Sequence, residues 1–303
     1  MPELPDIDVY VEALARRVRG VALQRATVRS VSLLRTTEPA LETAEGRLVE
    51  GVTRLGKRIV IALEGELFLV LHLMIAGRLR WHDAAKAVRL GRIDHAALRF
   101  STGTLVVTEA STTKRATLHV VAGRAALADH DPGGLEPLSA APAEIAARLR
   151  ATNRTLKRAL TDPRTLAGIG NAYSDEVLHA AGLSPIALTR RLDDDGAARL
   201  VAAIRATLAA WRARLLDEFG LAGAGLGRFP GPGQITAFRP DFAVHGRFGR
   251  PCPACGTRVA RIVRADNEVN YCPGCQTGGR VLADRSLSRL LKEDWPSRAE
   301  DWE

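Results

Sequence analysis

The chain has 303 residues, 43 Lys and Arg against 34 Asp and Glu, a formal net charge of +9 and a pI near 10.0. Apolar residues make up 46% and charged residues 25%, which excludes a disordered or acidic solvating chain and makes a polyanion the first partner to consider. No apolar run approaches the ~18 residues of a membrane span, and the length favours two or three domains over one core.

The start, Met1-Pro2-Glu3-Leu4-Pro5-Asp6, is acidic and proline-rich, unlike a signal peptide, so a cytoplasmic location with no membrane partner is expected. Ile7, Val11, Leu14 and Val18 recur at helical spacing, and Gly20 supplies a stop. Arg58–Leu63 and Leu67–Leu73, joined by Glu64-Gly65-Glu66, predict a hairpin; Ala97–Phe100 and Leu105–Thr108, turning at Ser101-Thr102-Gly103, predict another strand pair. These elements form a first domain over residues 1–128, a helix followed by a β-sandwich.

Residues 129–222 open on the linker Asp129-His130-Asp131-Pro132-Gly133-Gly134 and then read as helical. Breaks fall at Gly168-Ile169-Gly170-Asn171, Gly182-Leu183-Ser184-Pro185 and Asp193-Asp194-Asp195-Gly196. A glycine-rich loop over 223–239 and a cysteine module over 240–283 follow. The tail, 284–303, places Leu287, Leu290 and Leu291 at helical spacing ahead of Trp295. The fold class is thus α+β and multidomain.

Cys252-Pro253-Ala254-Cys255 and Cys272-Pro273-Gly274-Cys275 are separated by sixteen residues. Two such knuckles supply four thiolates for one structural zinc ion in a tetrahedral, closed site that leaves no position for catalysis. A disulfide framework has no rationale in a reducing compartment. Arg247, Arg250, Arg258, Arg261, Arg264 and Arg280 make the surrounding module basic. The glycines before Asn171 let a backbone approach a phosphate at a helix N-terminus, with Lys157 and Arg158 on the preceding helix; the bland alternative is a helical corner.

Met1 precedes the small Pro2, so its removal by an aminopeptidase is expected. A terminal amine with a pKa of ~7.7–8.0, against ~10.4 for lysine, is partly unprotonated at neutral pH and can attack a sugar C1′ to form a Schiff base. His72 reads as a strand histidine, His95 beside Asp94 as a hydrogen-bonded pair, and Glu109 as a strand-end carboxylate. Arg16-Arg17 and Arg190-Arg191 read as solvated faces, and Trp81, Trp211 and Trp295 as packing residues.

Together these segments resemble the formamidopyrimidine-DNA glycosylase/endonuclease VIII (Fpg/Nei) family. The resemblance rests on residues 1–6, Gly56-Lys57, His72-Leu73-Met74-Ile75-Ala76-Gly77-Arg78, Asp94-His95 and Gly134-Leu135-Glu136-Pro137-Leu138. Leu156-Lys157 through Asp162, Gly168–Tyr173 with Glu176, and the approach Gly246–Cys252 extend it to about residue 280. It implies an N-terminal helix with a β-sandwich, a helix–two-turn–helix domain and a β-hairpin zinc finger. It also implies a monomer that excises oxidised or ring-opened bases from damaged double-stranded DNA in the nucleoid, then cleaves by β-elimination.

In that pattern Pro2 attacks C1′ of a flipped nucleotide, Glu3 is its acid/base partner, and Lys57 contacts phosphate and assists proton transfer. Lys157 and Asn171 hold phosphates, Arg115 faces the strand or the gap, and Asp6 reaches toward base or sugar.

The departures are specific. Ile75, with Met74 beside it, stands at the family's methionine wedge; Lys114-Arg115-Ala116-Thr117 replaces Arg-Arg-Phe-Gly; Asn267 replaces an arginine of the finger, for which Arg264 is the nearest substitute. They argue against strong δ-elimination and a preference for 8-oxoguanine. Two alternatives follow: an endonuclease VIII-like enzyme for oxidised pyrimidines or single strands, and a catalytically silent damaged-DNA-binding protein. A zinc-ribbon adaptor would explain the finger but not residues 1–6.

Overall fold

The computed structural model describes residues 1–264, 267–282 and 298–299; the helix expected in the tail lies outside them. The chain forms two compact units, Met1–Pro132 with Ala210–Thr236, and Gly133–Ala209 with Ala237–Glu303. The glycine-rich segment up to Thr236 therefore packs with the N-terminal residues, and the cysteine module with the helical ones.

The first unit opens on helix α1 (Leu4–Val18) and continues through β1 (Leu23–Val28), β2 (Val49–Leu55), β3 (Arg58–Leu63), β4 (Leu67–His72), β5 (Gly77–Asp83), β6 (Asp94–Phe100), β7 (Gly103–Glu109), β8 (Thr117–Ala122) and the short α2 (Arg124–Ala128). Two four-stranded antiparallel sheets result, in the orders β1-β6-β7-β5 and β2-β3-β4-β8. The two predicted strand pairs are β3–β4 and β6–β7.

The continuous apolar run in β3 and β4 has a physical cause. Ile59, Ile61, Leu63, Leu69 and Leu71 face the core shared with Leu79, Leu98 and Leu105 of the other sheet. Val60, Phe68, Val70 and Val121 form a second buried cluster against Leu127 of α2. A sheet buried on both faces has no polar alternation. Helix α1 is likewise buried on two sides: Ile7, Tyr10, Leu14 and Val18 enter the main core, and Val9 and Ala13 pack on Leu215, Phe219 and Leu221.

The second unit contains α3 (Pro142–Arg150), α4 (Leu156–Thr161), α5 (Asn171–Ala180) and most of α6 (Asp194–Glu218), then the hairpin β9 (Ala260–Arg264) and β10 (Asn267–Tyr271) and the short α7 (Pro273–Thr277). The Asp193–Gly196 cluster is a helix start rather than a break alone: Asp193 Oδ1 accepts from Gly196 N at 2.7 Å, as an N-cap does. Among the described residues no helix is long and apolar enough to cross a membrane.

The β4–β5 turn is tight. Gly77 N donates to Leu73 O at 2.8 Å, and a Cβ at Gly77 would lie 2.2 Å from that oxygen. Gly77→Ala should therefore lower stability by about 2–3 kcal/mol, read as a fall in the denaturant midpoint at constant slope.

Candidate active site and metal centre

The N-terminus is folded into the first unit. Pro2 is buried, Glu3 is 2% exposed and Asp6 1%. Glu3 stands at the N-cap of α1, and Asp6 Oδ2 in the first turn accepts from Glu3 N at 2.9 Å. The short Asp6 carboxylate is thus turned back onto its own helix terminus. The α-amine of Met1 is held below its ordinary 8.0, first by burial, then by the positive charge of Arg78 and Lys57; Glu3 and Asp6 oppose the shift.

Lys57 sits at the β2–β3 turn, where Gly56 takes φ +59°. That turn is fixed to α1 through Arg54, whose Nε donates to Asp8 Oδ1 at 2.7 Å and whose Nη1 donates to Gly56 O at 3.0 Å. His72 ends β4 with its pKa lowered to about 4 by burial and by Arg58, Lys57 and His119, so it is a neutral imidazole at physiological pH. Its Nε2 is buried with no partner among the described residues.

Two loops present the remaining expected residues. In the β4–β5 turn Met74 takes a left-handed φ of 52°, and Ile75 is left 53% exposed at the tip. Arg78 holds this turn by donating to Ile75 O at 3.1 Å and Gly77 O at 2.7 Å, and its Nε reaches Ile235 O at 2.7 Å. After β7, the buried Glu109 carboxylate accepts from Arg115 N at 3.0 and 3.1 Å and from Ala116 N at 3.3 Å. The Arg115 side chain is exposed, whereas Ala116 is 3% exposed and belongs to the core.

Sequence reasoning misread several polar groups. Asp94 pairs with Arg80 and Gly91 N rather than with His95. Arg16 and Arg17 are not a solvated face: Arg16 Nη2 donates to Leu221 O at 2.7 Å, and Arg17 donates to Leu226 O at 3.1 Å and Gly227 O at 2.7 Å. They tether the glycine-rich segment to α1.

In the second unit, α5 carries a polar stripe at one-turn spacing: Asn171, Asp175 with Glu176, and His179. Asn171 Nδ2 donates to Glu268 O at 2.9 Å in β10. Asp175, 1% exposed, accepts from Lys157 Nζ at 2.5 Å, His245 Nδ1 at 2.7 Å and Asn270 N at 3.1 Å. Glu176 accepts from the backbone N–H of Ala243, Val244 and His245 at 2.7–2.9 Å; burial raises its pKa and these bonds pull it back. Lys157 is 8% exposed and also donates to Asn171 O at 2.6 Å, so its ammonium is held in an internal ion pair. Arg264 stands opposite Asn267 in the hairpin register.

The four cysteines are free thiols. Cys255 Sγ lies 3.4 Å from Cys272 Sγ, and Cys252 Sγ 3.9 Å from Cys275 Sγ, far beyond the ~2.05 Å of a disulfide. Bonds of ~2.3 Å to a tetrahedral ion require sulfur separations of about 3.8 Å, which these bracket. The side chains could hold a metal ion. His179, which sequence reasoning passed over, joins Cys252, Cys272 and Cys275 with all four ligand atoms within 4.8 Å of one another.

This arrangement has recognisable relatives. Residues 1–116 match the model of the formamidopyrimidine-DNA glycosylase N-terminal domain, and residues 134–213 that family's H2TH domain. The chain belongs to the formamidopyrimidine-DNA glycosylase family. It is 35% identical over 291 residues to the Thermus thermophilus formamidopyrimidine-DNA glycosylase, covering 92% of this chain and 100% of that one. The crystal structure of the T. thermophilus MutM (Fpg) protein is similar with a TM-score of 0.74 at 34% identity, covering 91% and 98%. The fold also matches Lactococcus lactis Fpg complexed with DNA containing an abasic site, at a TM-score of 0.77 and 23% identity over 91% and 99% of the chains.

Lys157→Met separates the internal role of that lysine from a phosphate contact. Breaking the buried pair should cost about 3–5 kcal/mol of stability. The slope of log K against log salt for duplex binding should stay unchanged, where loss of a phosphate contact would reduce it by about 0.9.

Proposed function

We propose that this protein is a DNA repair glycosylase with an attached lyase step, acting on oxidised or ring-opened bases through the amine of Pro2 once Met1 is removed. The observation that carries the reading is the buried chain start, where Pro2 is buried next to a Met1 α-amine whose pKa is lowered by burial in the field of Glu3, Arg78, Asp6 and Lys57.

The Pro2 nitrogen adds to C1′ as the C1′–base bond breaks, and the departing base takes a proton. Loss of the ring oxygen from C1′, with Glu3 supplying a proton to that oxygen, gives the iminium. The iminium acidifies the C2′ proton; its removal expels the 3′ phosphate, and water then releases the sugar fragment and regenerates the amine. Lys57, fixed beside α1 by Arg54, holds the phosphate next to the lesion and assists proton transfer. Arg115 faces the strand from a loop whose backbone Glu109 holds, and Ile75 with Met74 forms the wedge. In the second unit the remaining Asn171 amide hydrogen and Arg264 contact phosphates.

Zinc, bound by Cys252, Cys255, Cys272 and Cys275, supplies cross-linking of the finger and no chemistry to the reaction. A preference for oxidised pyrimidines or single strands is a second reading, favoured by the burial of Ala116: no aromatic in that loop fills the hole left by an extruded base.

Borohydride trapping on a duplex with one abasic site tests the reading. A covalent adduct mapping to Pro2 is expected, with Pro2→Gly and Glu3→Gln abolishing or strongly reducing turnover. Trapping should rise with pH through the midpoint at which the Pro2 amine loses its proton, in surroundings that lower the pKa of the Met1 amine. Arg78→Met removes a depressing charge and should move that midpoint up. Tight, salt-dependent binding without any adduct would establish the silent binder instead.

A further inference from the structure

The finger's sulfurs are not equally supported. Cys272 Sγ accepts from Cys275 N at 3.4 Å, and Cys255 Sγ lies 3.4 Å from the Thr257 hydroxyl. The group placed to donate to Cys252 is His179, whose Nε2 lies 3.2 Å from Cys252 Sγ. His179 does not belong to the cysteine module: it is on the last turn of α5, two turns beyond Asn171 and one beyond Asp175, on the stripe that binds β10 and the 243–245 turn.

Four thiolates around a divalent ion leave two net negative charges, which N–H donors to the sulfurs stabilise. In the four-cysteine reading the sulfurs would close the tetrahedral site, so a nitrogen 3.2 Å from Cys252 Sγ is suited to donate to that sulfur rather than displace it.

We propose that His179 is an outer-sphere residue of the metal centre, donating its Nε2–H to the Cys252 thiolate and fastening the first knuckle to α5. The inference rests on the zinc reading above and adds to it that the metal's retention is set partly from the helical region, by a residue outside both Cys-x-x-Cys motifs. His179 is a positioning residue: it acts through Cys252 and touches neither DNA nor the reacting atoms.

The test uses full-length, zinc-loaded protein. Zinc stoichiometry of the wild type comes first: one ion per chain upholds the zinc reading, and none overturns it whatever His179 does. Zinc release to excess chelator is then timed for wild type, His179→Phe and His179→Gln, with circular dichroism confirming that each variant is folded. His179→Phe should keep one zinc but release it ~10-fold faster or more, and His179→Gln, which retains an N–H, should recover part of the difference.

The cobalt(II)-substituted wild type and His179→Phe should both show the charge-transfer intensity of four thiolates. Equal release from wild type and His179→Phe would overturn the proposal. So would equally fast release from both variants, which would assign the effect to packing. A three-thiolate, one-imidazole cobalt spectrum in the wild type would make His179 a ligand and also overturn it.

Discussion

The second unit depends on one buried carboxylate. Asp175 takes a lysine from α4, a histidine from the turn after Phe242, and a backbone N–H from β10. A buried carboxylate left with one partner missing costs several kcal/mol, so each contact requires the others. The consequence is register. The hairpin, the turn leading to Cys252 and the two helices of the helix–two-turn–helix motif are brought to one point, and Glu176 fixes the same turn from the next residue. A module of this size cannot bury enough surface to order itself, and here its order is borrowed from α5.

The first unit uses the same device on a smaller scale. Asp6 accepts from the Glu3 backbone N–H at the start of α1, and Glu109 gathers the N–H groups of Arg115 and Ala116. In each case a buried acid binds a main-chain N–H, and so places a neighbouring residue. At α1 that neighbour is Pro2; after β7 it is Arg115. In the proposed mechanism, preorganisation of this kind would place the reacting amine without requiring the group itself to be rigid.

What could be read in the sequence follows from how local each signal is. The β3–β4 and β6–β7 hairpins were visible because short turns join apolar runs, and the cysteine knuckles because their spacing is itself the chemistry. The start Met1–Asp6 was legible as a motif, but not the bond from Glu3 N to the Asp6 carboxylate. Lys157 was legible as a basic residue near a glycine corner, but not its ion pair with Asp175, eighteen residues on and inside the same core. His179 carried no signal: a single histidine in a helix has no spacing relation to cysteines more than seventy residues away. Periodicity reports which face of α5 is shared by 171, 175 and 179, but not what lies against it.

The net charge is subject to the same limit. A surplus of +9 points to a polyanion, yet many of the arginines that create it have structural contacts. Arg16 and Arg17 hold the carbonyls of the glycine-rich segment, Arg78 those of the wedge turn, Arg47 those of Thr43 and Glu64, and Arg148 those of Gly133 and Arg164. These guanidinium groups keep their charge and contribute to long-range attraction, which depends on charge and distance alone. They contribute less to short-range recognition, which needs N–H groups aimed outward. Composition therefore predicts the field that draws a polyanion in, while which N–H groups face outward is decided by how the buried acids hold the loops.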